Sequence, residues 1–186
     1  MSPATGSKHA ICLTADNATI APLLALQAAA AAFEPEASMA AQAYAPHITL
    51  AIYERIELPA LQDAFAAMAE GAAPLRLRFA RIRHFGDGSP VVWAAPGADA
   101  DLAALHEAVH RSIDPARCHP HYRPGAWIPH CTLATGIAAH RMREAQAALE
   151  ASLQPFDVLF DTADCLTFPP VQIIERRCLA TAGAGR

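Results

Sequence analysis

The sequence has no apolar segment long enough to cross a bilayer and no leader-like start. The longest apolar run, "IAPLLALQAAAAAF" from Ile20 to Phe33, contains Gln27 and is shorter than the roughly 20 residues of a membrane-spanning helix. The first residues, "MSPATGSKHA", lack the charged and then apolar pattern of a secretory signal. We therefore expect a cytoplasmic protein with no membrane partner, in which the apolar run forms a buried helix.

Paired cysteines and an excess of positive charge are also missing. The five cysteines are odd in number and show no CxxC spacing, which favours free thiols over a disulfide framework. A net charge of −4 and a pI near 6.1 argue against binding of duplex DNA, because that function relies on many phosphate-neutralising cations. With 53% hydrophobic residues, the 186-residue chain can bury one core as a single domain, and we expect a monomer.

One short pattern occurs twice. "AYAPHITLA" begins at Ala43 and "AWIPHCTLA" begins at Ala126, an offset of 83 residues. The same offset relates Phe85 to Phe168, and each motif is followed by a predicted helix and then by strands. Matched spacing beyond the motif indicates a duplicated unit, with copies at about 40–95 and 123–180, within one bilobal domain spanning 1–186.

Apolar periodicity predicts the order of the secondary structure. We expect strands at 9–14, 47–53, 75–85, 91–95, 127–134, 156–168 and 171–181, and helices at 18–33, 59–70, 99–112 and 138–153. The alternation slips near Phe79, which predicts a bulge there. The expected fold is α+β, with two small antiparallel sheets and outer helices around a central cleft.

The doubled His-x-Thr motif carries the candidate chemistry. Side chains alternate along a strand, so His47 and Thr49 share one face, and His130 and Thr132 share one face of the second motif strand. A pair of histidines can supply an acid and a base near neutral pH, and threonine hydroxyls can donate to a phosphate oxygen. If the two strands lie side by side, these four residues form an apparatus for in-line displacement at phosphorus that needs no metal.

The paired "PHITL" and "PHCTL" motifs resemble those of the 2H phosphoesterase superfamily, which includes bacterial 2′-5′ RNA ligases and 2′,3′-cyclic phosphodiesterases. The resemblance covers about Ala10 to Ala180. It implies a bilobal fold, no cofactor, no metal, and hydrolysis of a 2′,3′-cyclic phosphate on an RNA end or a small nucleotide to a 2′-phosphate, with reversible 2′-5′ joining in some members. The four motif residues then take the catalytic positions, with His47 as the acid and His130 as the base or in the opposite order. RNA-acting members often carry a basic residue after the second motif, whereas this chain has Ala134, Thr135 and Gly136, which leaves small cyclic nucleotides open as substrates.

Residues near the motifs are candidates for substrate binding. Tyr44 and Trp127 could stack on a base or, alternatively, anchor the entrance of each motif strand. Tyr122 and Arg123, in a Pro-rich loop before the second motif, could close over the ligand or serve as a rigid connector. The strand "LRLRFARIRHF" places several arginines together, either as phosphate contacts or as a solvated sheet face.

A rival motif is "HEAVH", from His106 to His110. His-Glu-x-x-His on a helix is the zinc-protease pattern, with Glu107 as the base and a third ligand among the cysteine and histidines that follow. The residues after it, "RSIDPA", lack the Gly and His of the extended pattern. An amphipathic helix with both histidines near the rim and Glu107 outside is the other interpretation. A further alternative is a non-catalytic RNA- or nucleotide-binding module that keeps the cleft.

Overall fold

The computed structural model describes residues 7–85 and 90–180, and it forms eight strands and five helices within those ranges. The strands are β1 (Lys8–Thr14), β2 (His47–Tyr53), β3 (Leu75–His84), β4 (Val92–Pro96), β5 (Cys131–Ala134), β6 (Phe156–Phe160), β7 (Thr162–Phe168) and β8 (Gln172–Cys178). The helices are α1 (Ala21–Ala31), α2 (Ser38–Ala41), α3 (Leu58–Ala69), α4 (Ala100–Ser112) and α5 (Met142–Ser152). The α+β class is therefore confirmed.

All eight strands form one antiparallel sheet, in the order β6-β3-β4-β5-β2-β1-β7-β8. The expectation of two separate sheets is not confirmed. The two motif strands, β2 and β5, join the halves through one pairing of Ile48 with Cys131. The two motif strands therefore lie at the centre of the sheet. Their pairing joins the two sheets that we expected into one.

Several element boundaries differ from the predicted ones. The strand expected at 127–134 begins only at Cys131, and Pro129, which has no N–H to donate to a ladder, lies just before it. The strand expected at 156–168 is divided at Asp161, whose carboxylate accepts hydrogen bonds from the Asp16 N–H and the Asn17 amide. Helix α1 follows a 3-10 turn and ends at Ala31, and the short α2 was not predicted. Position 181, the expected end of the last strand, lies outside the described residues.

The bulge near Phe79 is confirmed. The register of β3 against β4 shifts between Phe79 and Arg81, so Ala80 and Arg81 are both exposed while Ile82 returns to the buried side. Such a bulge re-aims the side chains that follow it. As a result, Arg81 and Arg83 both project from the open side of the sheet.

The core lies between one face of the sheet and the helices. Ile48, Leu50, Cys131 and Leu133 are fully buried, in one apolar cluster with residues of the four longer helices. Helix α1 contacts β5, α4 contacts β2, α5 contacts β3 and β4, and α3 contacts β7. Because neighbouring residues of a strand point to opposite faces, the helices cover the face that does not carry the motif histidines and threonines. No helix in the described ranges is both long and apolar enough to span a bilayer.

Candidate active site

The structure brings the two His-x-Thr motifs together. Antiparallel pairing of Ile48 with Cys131 places His47 beside Thr132 and Thr49 beside His130 across the strand boundary. All four polar side chains line one pocket of about 150 Å³, whereas Ile48 and Cys131 face the core. Two imidazoles and two hydroxyls therefore converge on one small space.

The two histidines have equivalent hydrogen bonds. The Nδ1 of His47 lies 2.9 Å from the carbonyl oxygen of Ala45, and the Nδ1 of His130 lies 2.7 Å from that of Ile128. A carbonyl only accepts, so each Nδ1 carries a proton and donates it. In the neutral ring, Nε2 then keeps its lone pair. Each imidazole is thus held in the tautomer in which Nε2 can accept or deliver a proton.

Burial lowers the pKa of both histidines, because a charged ring loses hydration in the pocket. In each ring the hydrogen bond to the backbone carbonyl opposes this effect and raises the pKa. A positive charge on His130 lowers the pKa of His47 further, while the carboxylate of Asp164 raises it. The site therefore disfavours two imidazolium rings at once, which is the condition for one acid and one base.

Contacts from neighbouring elements fix the backbone of both motifs. The hydroxyl of Thr14 in β1 donates to the carbonyl of Pro46 (3.1 Å), directly before the first histidine. The Gln27 amide of α1 donates to the carbonyl of Thr132 at 3.0 Å. Each of these hydrogen bonds ties the backbone of one motif to a neighbouring element, β1 or α1.

Tyr44 lies in the pocket, but its hydroxyl is already engaged. The hydroxyl donates to Oδ2 of Asp164 at 2.6 Å, and the tyrosine ring lies 4.8 Å from the ring of His47, centroid to centroid. Burial raises the pKa of the Tyr44 phenol, so the hydroxyl stays protonated. Asp164 is fully buried and accepts two hydrogen bonds from Arg176, at 2.7 and 2.8 Å. Asp164 and Arg176 were missed in the sequence, since nothing local links two residues on different strands.

Tyr122 lies between the motifs and the "HEAVH" helix. Its side chain lines the pocket, 6.4 Å from the ring of His130, centroid to centroid. Its carbonyl oxygen accepts hydrogen bonds from Nε2 of His106 (2.9 Å) and Nε2 of His110 (3.0 Å). The two histidines that suggested a zinc site therefore hold the loop that carries Tyr122.

The expected rim position of these two histidines is wrong. His106 is 4% exposed and His110 is 9% exposed, whereas Glu107 is exposed as expected. Both Nε2 atoms point at one backbone carbonyl oxygen, and because a carbonyl only accepts, each Nε2 must carry a proton. A protonated Nε2 has no lone pair for a metal ion, so neither Nε2 atom can be a metal ligand in this state. Within the described ranges, no group of three or more histidine, cysteine or acidic residues is arranged to hold a metal ion.

Trp127 and Arg123 lie outside the pocket. The indole ring of Trp127 stacks on His106 at 4.1 Å, and its N–H donates to the carbonyl of Thr49 at 3.0 Å. The guanidinium of Arg123 donates to the carbonyls of Cys118 and Ala116, both at 2.9 Å. These contacts give Trp127 a role in holding β2 and Arg123 a role in shaping its own loop.

Two wider cavities adjoin the motif pocket. One, of about 530 Å³, shares Tyr122, His130 and Thr132 with it and is also lined by His119 and His121. The other, of about 800 Å³, extends from Phe85 and Trp93 along β3. A ligand held at the histidines therefore has room to extend on the His130 side.

Comparisons with known proteins agree with this architecture. The family model described as "2'-5' RNA ligase superfamily" matches residues 18–168. Among solved structures, E. coli LigT complexed with 3'-AMP is 13% identical, with a TM-score of 0.63 over 94% of this chain and 98% of that chain. A Thermus thermophilus protein is 16% identical, with a TM-score of 0.61 over 95% of this chain and 100% of that chain. A structure described as a phosphoesterase is 14% identical, with a TM-score of 0.61 over 94% of this chain and 99% of that chain.

No curated protein matches the chain. At these identities the solved structures establish the fold, and the family model, which spans most of the chain, establishes the family. The resemblance found from the paired motifs is thereby confirmed. The chain belongs to the 2′-5′ RNA ligase superfamily, within the 2H phosphoesterases.

Proposed function

We propose that the protein is a metal-independent phosphodiesterase that hydrolyses a 2′,3′-cyclic phosphate to a 2′-phosphate, with His47, Thr49, His130 and Thr132 as its catalytic residues. The observation that carries this proposal is the convergence of both motifs on one pocket, with matching Nδ1 hydrogen bonds on the two histidines. In an in-line displacement, a base is needed on the side of the phosphorus where water attacks and an acid on the side where the ribose oxygen leaves. Two equivalent imidazoles that face one small pocket suit this reaction.

The reaction balances with these residues alone. Neutral Nε2 of one histidine takes a proton from water as the water oxygen forms a bond to phosphorus. The bond from phosphorus to the ribose 3′-oxygen breaks, and protonated Nε2 of the other histidine gives its proton to that oxygen. The matched hydrogen bonds of the two rings suit either order of the roles, with His47 as the acid and His130 as the base or the reverse.

The two threonines suit the non-bridging phosphate oxygens. A hydroxyl can donate to an oxyanion without adding a charge that would perturb the histidines. The Oγ1 of Thr49 lies 3.6 Å from Sγ of Cys12, a weak partner that a phosphate oxygen would outcompete. Burial raises the pKa of Cys12 to about 12, so this thiol stays neutral and adds no negative charge beside the phosphate.

Joining of two RNA ends can use the same proton carriers. If a ribose 5′-hydroxyl replaces water on the base side, attack on the cyclic phosphate yields a 2′-5′ linkage. We propose that this joining occurs with a suitable RNA end. The nucleotide bound in the similarly folded E. coli LigT, 3'-AMP, supports a nucleotide as the ligand class.

The test is turnover of 2′,3′-cyclic mononucleotides by His47→Ala and His130→Ala variants in the presence of a chelator. General acid–base catalysis contributes about 10²–10⁴-fold, so each variant is expected to lose at least about 100-fold in kcat. His140→Ala, at an exposed histidine outside the pocket, serves as the matched control and is expected to retain activity. Activity that needs added metal, or that survives loss of either histidine, contradicts the mechanism. Nucleotide binding without turnover by the wild-type protein identifies a binding module instead.

A further inference from the structure

The open face of the sheet continues from the motif pocket toward β3. Thr132 in β5 pairs with Trp93 in β4, and Trp93 pairs with Arg83 in β3. Paired residues of antiparallel strands project from the same face, so these three side chains form a row across the sheet. Adjacent strands lie about 4.8 Å apart, which places the backbone of Arg83 roughly 10 Å from that of Thr132.

A groove of about 800 Å³ follows this row. Its lining includes Arg78, Arg81, Arg83, Phe85 and Trp93. Two of these residues contact His130, which lines the motif pocket: the Phe85 ring lies 5.0 Å from the ring of His130, and the Trp93 ring lies 5.8 Å from it, centroid to centroid. The groove therefore begins beside the two aromatic rings that contact His130, and it ends among arginines.

The arginines of the groove are available for an anion. In the described ranges, Arg81 and Arg83 form no ion pair within 4.0 Å of an acidic group, and Arg78 has one long contact of 3.5 Å with Asp157. Both Arg81 and Arg83 are exposed because of the bulge in β3. The protein as a whole is acidic, so a local row of guanidinium groups is a departure from its average surface. A planar guanidinium binds a phosphate through two parallel hydrogen bonds.

We infer that this groove binds the single-stranded RNA that precedes a 2′,3′-cyclic phosphate end, with Arg81 and Arg83 contacting backbone phosphates and Phe85 lying against a base. The inference rests on the proposed function, since it places the cyclic end at the two histidines. Single-stranded nucleic acid is bound in this way elsewhere, by a positive groove combined with aromatic side chains on which bases stack. The preferred substrate is then an oligonucleotide rather than a mononucleotide, although no basic residue follows the second motif.

The test compares two substrates with one double variant. Arg81→Ala/Arg83→Ala is assayed against a 2′,3′-cyclic mononucleotide and against a hexaribonucleotide that ends in a cyclic phosphate. We expect kcat/KM for the oligonucleotide to fall about tenfold, and kcat/KM for the mononucleotide to change less than about twofold, because only the longer substrate reaches the groove. For the oligonucleotide, the slope of log(kcat/KM) against log salt concentration should become shallower by about 1.4, because each of the two lost phosphate contacts contributes about 0.7.

Two further variants separate local contact from total charge. Arg111→Ala/Arg143→Ala removes the same charge from exposed positions on α4 and α5, and it should leave both substrates unaffected. Arg81→Lys/Arg83→Lys keeps the charge in the groove and should retain most of the salt dependence. Equal loss with the control double variant, or equal loss for both substrates, would overturn the assignment.

A binding measurement distinguishes this inference from the proposed function. Fluorescence anisotropy of a labelled hexaribonucleotide with a 2′-phosphate end reports on the groove without turnover. If Arg81→Ala/Arg83→Ala binds this RNA as tightly as the wild type, the groove assignment fails even when cyclic mononucleotides are hydrolysed. If the wild-type protein hydrolyses neither substrate, the proposed function fails, whatever the binding result.

Discussion

Glu34 offers a sharp test of how the loop after the second motif is held. Its carboxylate accepts hydrogen bonds from the backbone N–H of Thr135 (3.0 Å), of Gly136 (2.6 Å) and of Ser38 (3.0 Å), and from the Ser38 hydroxyl (2.6 Å). A Cβ on Gly136 would come within 3.0 Å of Oε1, so the backbone approaches as closely as a glycine allows. One side chain thus ties the end of β5 to α2.

We predict that Glu34→Ala destabilises the protein by about 2–3 kcal/mol. A hydrogen bond to a charged group contributes about 1.5–3 kcal/mol net. The Gly136 bond is exposed, so water replaces much of it, and the Thr135 N–H keeps a second acceptor in the Ser38 hydroxyl at 3.0 Å. The estimate therefore corresponds to one or two bonds rather than four. At about 2–4 °C per kcal/mol for a chain of this length, Tm should fall by about 4–12 °C.

Thermal unfolding followed by circular dichroism or calorimetry measures this change. Glu36→Ala is the matched control, since it removes the same side chain from an exposed position two residues away. The control should change stability by no more than about 0.5 kcal/mol. Equal Tm shifts for the two variants would refute the reasoning, because they would show that the four contacts add nothing beyond loss of a surface charge.

Three further predictions concern pH and the neighbours of the motifs. Because burial lowers the pKa of both His47 and His130, kcat/KM should be bell-shaped with its maximum below about pH 6.5, as a steady-state pH profile would show. Trp127→Phe keeps the aromatic ring but loses the N–H donated to Thr49, so urea unfolding should report a loss of about 1 kcal/mol. Burial also lowers the pKa of His106 in the folded protein, so this ring binds a proton more readily in the unfolded chain. Stability is therefore lost as the pH falls below about 6.5. The variant His106→Gln removes this titration and should reduce the fall in Tm between about pH 7.5 and pH 5.5.

Specific results would contradict each of these expectations. A value of kcat/KM that stays constant between pH 5 and pH 9 would argue against general acid–base catalysis by the two motif histidines. Unchanged stability of Trp127→Phe would mean that the hydrogen bond to the strand carbonyl contributes nothing net. A Tm that falls equally with pH in wild type and His106→Gln would show that this ring titrates alike in the folded and unfolded chain.

Local signals in the sequence were sufficient for the types of most elements. Alternation predicted β1 to β4, and 3,4 spacing predicted the four longer helices, because each depends on residues close in the chain. The slip at Phe79 also located the bulge that turns Arg81 toward the open face. Alternation within the two motifs also predicted that both lie on strands, although the second strand begins only after His130, at Cys131.

The arrangement of the strands could not be predicted in the same way. The single pairing of Ile48 with Cys131 joins segments 83 residues apart, and no local pattern encodes it. The duplication with copies at about 40–95 and 123–180 remains a prediction. The order of the sheet favours a different division, in which units begin at β1 and β4, since β1 lies beside β2 as β4 lies beside β5.

Long-range polar contacts also could not be predicted from the sequence. His106 and His110 form a metal-like spacing, yet both donate to the carbonyl of Tyr122, because the loop after α4 folds back on the helix. Tyr44 was expected at the cleft, but its bond to Asp164 depends on the neighbouring strand β7. Such partners are set by tertiary packing and not by spacing along the chain.

The central claim is that both motif histidines act on one phosphorus atom. The most direct measurement is a crystal structure with a nucleoside vanadate complex, in which five-coordinate vanadium mimics the phosphorus of an in-line transition state. The account predicts vanadium in the motif pocket, with Nε2 of His47 and Nε2 of His130 each within hydrogen-bond distance of opposite apical oxygens. Vanadate bound elsewhere, or contacted by only one of the two imidazoles, would contradict it.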